Sequence, residues 1–100
     1  MAGTKKRAPS HPGTLLREVV LPAMRMSAAG AAREMGVSRQ QLYKILAGER
    51  AVTAEMAVRL GAYCGNGPEL WINMQSAYDL WHAQRALADV LESIPTRAAG

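Results

Sequence analysis

The chain has 100 residues, 49% of them apolar, with twelve Lys and Arg against eight Asp and Glu for a net charge of +4. That length holds one domain, and a domain so small buries limited surface, which favours pairing with a second copy. The single cysteine, Cys64, excludes an internal disulfide, and no run approaches the ~20 apolar residues that span a bilayer.

Charge is unevenly placed. Residues 1–50 hold nine of the cations and three of the acids, a balance of +6, while residues 51–100 hold three cations and five acids, a balance of −2. A basic first half suits a polyanion, and the same excess also serves solubility. Nothing apolar follows Lys5-Lys6-Arg7, so no secretory leader is expected and the setting is cytoplasmic.

Residues 1–12, with two prolines and three consecutive cations, read as a flexible basic arm. A first helix is predicted over Gly13–Val20. It should end or kink near Leu21, because Pro22 lacks an amide hydrogen and clashes with a preceding helical carbonyl. Ser27 is a natural N-cap for a helix over Ala28–Met35, and Gly36 ends it. Ser38 caps another over Arg39–Ala47, closed by Gly48. Thr53 caps a fourth over Ala54–Tyr63, with Glu55 in its first turn. Gly65-Asn66-Gly67 forms a turn, and Pro68 begins a fifth helix that runs at least to Ala83. Nothing reads as a strand. The expected division is the arm (1–12), a five-helix domain (13–84) and a tail (85–100) that is partly helical or extended.

The stretch AAREMGVSRQQLYKIL, Ala31 to Leu46, has a specific pattern. Two helices of about two turns, joined by a short turn containing glycine, make a helix-turn-helix over residues 28–47. Ala32 is small where the helices cross, Val37 plugs the turn, and Leu42 and Ile45 form the inner face of the second helix. Arg39, Gln40, Gln41, Tyr43 and Lys44 are left pointing partly or wholly outward. Such a helix fits the DNA major groove, where Arg reads guanine and Gln reads adenine through paired hydrogen bonds. The amides at the start of that helix can also hold a phosphate, and Arg50 is the best phosphate candidate among the remaining cations.

On the fifth helix Leu70, Trp71, Met74, Ala77, Tyr78 and Trp81 share one face. Trp71 is expected to pack on the domain. Leu70, Met74, Ala77, Tyr78 and Trp81 are candidates for a two-fold dimer interface that sets two reading helices about 34 Å apart. His11 suits a cap at a helix start rather than chemistry. No nucleophile–base set, phosphate-cradling loop or metal-ligand cluster is present, so no catalysis, cofactor or metal is expected.

Three pieces carry a family resemblance: HPGTLLREVVLPAM, EMGVSRQQLYKILAGERAVTAEMAVRLG and PELWINMQSAYDLW. From His11 to about Trp81 the chain resembles the phage-repressor-like (Cro/CI, XRE) helix-turn-helix family, and more closely the HigA-type antitoxins of toxin–antitoxin addiction modules. That resemblance implies an all-α, lambda-repressor-like fold, a homodimer, and binding to double-stranded DNA at an operator in its own promoter. Carried onto this chain, it implies base reading by Arg39 and Gln40, then Gln41, Tyr43 and Lys44, with Ser27 and Ser38 near the phosphates at the helix starts. It also implies neutralisation of a toxin partner of the HigB type, a ribosome-dependent mRNA-cleaving protein. The stretch SAAGAAREMG departs from the family's usual pattern at Ala28, Gly30 and Ala31, which predicts a thin, loosely held second helix. Two alternatives stay open: a phage-type repressor without a toxin, and a protein-binding module on a helix-turn-helix scaffold that no longer binds DNA.

Overall fold

The computed structural model describes residues 7–97, and among them every regular element is helical. The chain enters its first helix through His11, whose ring Nδ1 accepts a hydrogen bond from the Gly13 N–H at 2.9 Å. That helix, α1, is built of three consecutive pieces: an α-helical turn Pro12–Leu15, a π-helical turn Leu16–Val20, and an α-helical turn Leu21–Met24. Of the expected end or kink near Leu21, the helix does not end there, and its α-helical ladder is interrupted instead. The π-turn interrupts the α-type ladder just before the proline, and the Leu21 N–H reaches back to the Leu16 carbonyl. Pro22 then lies in the first turn of the restarted α-helix, where a missing N–H costs little. Termination comes at Arg25, which adopts left-handed backbone at φ 55°.

Helix α2 spans Ala28–Met35 and α3 spans Arg39–Leu46. The predicted caps are in place: Ser27 Oγ accepts from the Gly30 N–H, and Ser38 Oγ accepts from the Gln41 N–H, each at 3.0 Å. Gly36 joins the two helices at φ 76°, a conformation a side chain disfavours. Helix α4 runs Ala54–Cys64 behind its Thr53 cap. Helix α5 runs Pro68–Ala86, and after Leu87 the chain adds a sixth short helix, α6, over Ala88–Ser93. Of the two expectations for the tail, partly helical or extended, the helical one describes Ala88–Ser93, and residues 94–97 are irregular.

One core unites α1 to α5. Leu16, Leu42, Ile45, Val52, Met56, Leu60 and Trp71 are all but sealed from solvent. Ala31 and Ala32 are fully buried, so the small residues of α2 serve a close crossing with α3. Gly30 is buried too, with the Met26 methyl over it. The helix anticipated as loose is regular from cap to cap, and two flanking side chains add to its hold. Arg59 donates to the Met35 carbonyl at its C-terminal end at 2.7 Å. The Tyr63 hydroxyl donates to Glu34 Oε1 at 2.6 Å, and burial together with that carboxylate pushes the phenol pKa up to about 12.

The tightest approach is backbone on backbone. A β-carbon placed on Gly13 would overlap the Ile45 carbonyl group, so α1 touches the last turn of α3 with nothing between. Nearby, Arg17 donates to the Leu46 carbonyl at 2.8 Å and pairs with Glu18. The replacement Gly13→Ala is expected to force α1 off α3 and lower stability by about 1–3 kcal/mol, the usual cost of overpacking. Thermal unfolding reads this directly: at about 4–8 °C per kcal/mol for a domain of this size, the midpoint should drop visibly.

Candidate nucleic-acid interface

Helix α3 has two distinct sides. Leu42, Ile45 and Leu46 are buried, while Arg39, Gln40 and Tyr43 are exposed and Lys44 is half-buried. These four outward side chains, with Ala47 and Glu49, line one shallow open concavity. Arg39, Lys44 and Gln40 put cationic and amide donors there, and Tyr43 contributes a ring and a hydroxyl. Glu49 adds a carboxylate that the sequence reading did not single out, because it belongs to the loop beyond the helix rather than to the helical pattern.

Gln41 is placed differently. It is half-buried and lines a separate polar notch with Gly36, Val37, Thr53, Glu55, Met56 and Arg59. The notch lies between the helix-turn-helix turn and the start of α4. Ser27 and Ser38 are exposed at their helix starts, and each hydroxyl oxygen is already accepting from its own helix. Their O–H groups still have a proton to donate outward. Arg50 is exposed in the loop between α3 and α4. Of the other cations, Arg59 is occupied by the Met35 carbonyl and by Glu55. Lys5 and Lys6 lie outside the described residues.

The loop after α3 is held at both ends. The Glu49 and Arg50 N–H groups reach back to the Lys44 carbonyl at 2.8 and 3.2 Å. At the far end the Val52 N–H donates to Gln75 Oε1 on α5 at 2.8 Å. The His11 ring lies beside Gly48 and the Arg50 backbone, with Tyr78 edge-on at 5.0 Å between ring centres. Neither Arg17 nor Gln75 has a signal in the sequence, since both act through contacts distant along the chain.

The α5 stripe is divided by the fold. Trp71 is buried as expected, its indole N–H donating to Asn66 Oδ1 at 2.9 Å. Leu70 is exposed, and Met74, Ala77, Tyr78 and Trp81 are half-buried. Leu70, Met74 and Ala77 border a groove shared with Pro9 and Ser10 of the chain's own arm. Tyr78 and Trp81 pack on His82, and Arg85 lies over the Trp81 ring at 4.7 Å. Beyond them Leu80, Leu87, Val90, Leu91 and Ile94 are exposed on the end of α5 and on α6. Among the described residues no group of His, Cys, Asp or Glu is arranged to hold a metal, and no helix is long and apolar enough to cross a membrane.

Comparison with known proteins agrees with this geometry. A helix-turn-helix family model matches residues 16–71. Virulence-associated protein I of Dichelobacter nodosus is 37% identical over 94 residues, covering 94% of this chain and 87% of that protein. Antitoxin HigA-1 of Vibrio cholerae is 38% identical over 76 residues, covering 76% of this chain and 71% of the relative. Among solved structures, the Pseudomonas aeruginosa antitoxin HigA with higBA promoter superposes with a TM-score of 0.83 at 34% identity, over 91% of this chain and 99% of the other. The chain belongs to the helix-turn-helix family of DNA-binding regulators and, within it, to the HigA-type antitoxins.

His11 ties the stability of the fold to pH. Burial holds its pKa below the usual histidine value, against the opposing pull of the Arg50 backbone and Asp79. Its cap also needs Nδ1 unprotonated. Since the folded-state pKa is the lower one, the unfolded chain takes up the proton first. This contribution to stability is therefore complete above about pH 6.5 and declines as pH falls below that value. His11→Asn, which caps without titrating, is expected to flatten the fall in melting temperature between pH 7 and pH 5 relative to the unaltered protein.

Proposed function

We propose that the protein represses its own operon by binding an operator in its promoter as a homodimer, and that it neutralises a HigB-type mRNA-cleaving toxin. One observation carries the DNA reading: Arg39, Gln40, Tyr43 and Lys44 project together from a helix whose opposite side is locked into the core. In this reading α3 lies in the major groove, Arg39 and Gln40 contact base edges, and Tyr43 and Lys44 extend the contact along the groove. Ser27, Ser38 and Arg50 meet phosphates, and Gln41 supports the turn from its notch. The solved HigA relative bound to its promoter supports the same use of the fold. The toxin role rests on the antitoxin relatives and assigns no surface of its own.

Pairing uses α5. Leu70, Met74, Ala77, Tyr78 and Trp81 remain the proposed contacts, and Leu80, Leu87, Val90, Leu91 and Ile94 are further exposed apolar residues toward the C-terminus. A two-fold axis through this region presents two copies of α3 to successive major grooves.

Titration against a duplex from the gene's own upstream region, beside a scrambled duplex, tests the DNA reading at two salt concentrations. Binding should favour the first duplex and weaken steeply with salt. Replacing Arg39 and Gln40 together by Ala should cost about 1–3 kcal/mol of base discrimination for each lost paired contact. Dimerisation, followed by analytical ultracentrifugation, should be unchanged. Equal affinity of the unaltered protein for both duplexes would instead favour a scaffold that binds only protein.

A further inference from the structure

Gln75 is, beside His11, a buried polar side chain, exposed by only 4%. It stands one helical turn beyond Trp71 on the inner side of α5. Both ends of its amide are used. Oε1 accepts from the Val52 N–H at 2.8 Å, and Nε2 donates to Asp79 Oδ1 at 2.9 Å. A carboxylate accepts and does not donate, so Asp79 dictates which end of the amide faces it. The oxygen is thereby turned inward, toward Val52.

Val52 is itself buried, and its N–H lies just ahead of the Thr53 cap, outside the ladder of α4. Without Gln75 this donor would be sealed from water with no partner, at a cost of about 1–3 kcal/mol. The bond does more than satisfy a donor. The first part of the loop hangs from the Lys44 carbonyl at the end of α3, and the last part hangs from Gln75 on α5. Arg50 is the last residue of the first anchor and stands two residues ahead of the second.

We infer that Gln75 is a positioning residue for DNA binding, holding the α3–α4 loop so that Arg50 meets the phosphate backbone in register with α3. This rests on the proposed reading of α3 and Arg50 as DNA contacts. A residue acting through a phosphate contact alters affinity for every duplex alike and leaves base discrimination untouched.

The test is a double-mutant cycle between Gln75→Met, which keeps the side-chain volume, and Arg50→Ala, read by titration of operator and scrambled duplexes across a salt series. Gln75→Met is expected to lower affinity for both duplexes several-fold, leave their ratio unchanged and reduce the salt slope by about one. In the Arg50→Ala background it should have little further effect. Asp79→Ala, at an exposed position, frees the amide to turn and should weaken binding in the same direction by less; it decides the matter if Gln75→Met fails to fold. Full additivity of the two losses, or wild-type affinity in a folded Gln75→Met protein, overturns the inference alone. Absence of operator preference in the unaltered protein overturns the proposed function as well.

Discussion

The seating of one short helix governs the molecule. Helix α3 has two turns, too few to be stable alone in water, so its shape and direction are imposed by what it rests on. Its underside is buried through Leu42, Ile45 and Leu46, and its last turn meets α1 backbone to backbone at Gly13. Arg17 closes the exit by taking the Leu46 carbonyl. Because main chain rather than side chain makes the closest contact, there is little slack through which α3 could tilt.

Polar groups complete what the apolar core begins. Short helices leave a large share of their backbone unpaired at the ends, and this chain has several such ends close together. Ser27, Ser38 and Thr53 serve the starts; Arg59 and Arg17 serve the ends of α2 and α3. Gln75 does the same for the loop that follows α3. No buried side-chain nitrogen or oxygen among the described residues lacks a partner. The net result is a small domain whose loops are fixed by side chains reaching across 20 or more residues as well as by their own turns.

Local chemistry was readable in advance where it is written in adjacent residues. The caps at Ser27, Ser38 and Thr53, the left-handed Gly36 and the inward pair Leu42 and Ile45 each follow from a residue type at a fixed offset. The partly or wholly outward set on α3 follows from the same periodicity, with Gln41 half-buried and bordering the notch beside α4. Other features depend on elements far along the chain. Pro22 reads as a terminator, and only the π-turn ahead of it shows how the helix continues. The small residues of α2 read as weakness until α3 is seen lying against them. Gln75 looks like one more polar residue on a long helix, because nothing nearby in sequence reveals Val52 above it.

The separation of duties on α3 has an evolutionary consequence. Arg39, Gln40, Tyr43 and Lys44 take no part in the sealed interior, whereas Gly13, Leu42 and Ile45 admit almost no substitution. If α3 reads DNA as proposed, exchanges among the first group change which DNA the protein answers to while leaving folding intact. Duplicated copies of such a gene can therefore drift apart in target within a few substitutions, and neighbouring modules in one genome can become insulated from each other. The scaffold is the slow variable and the address it carries is the fast one.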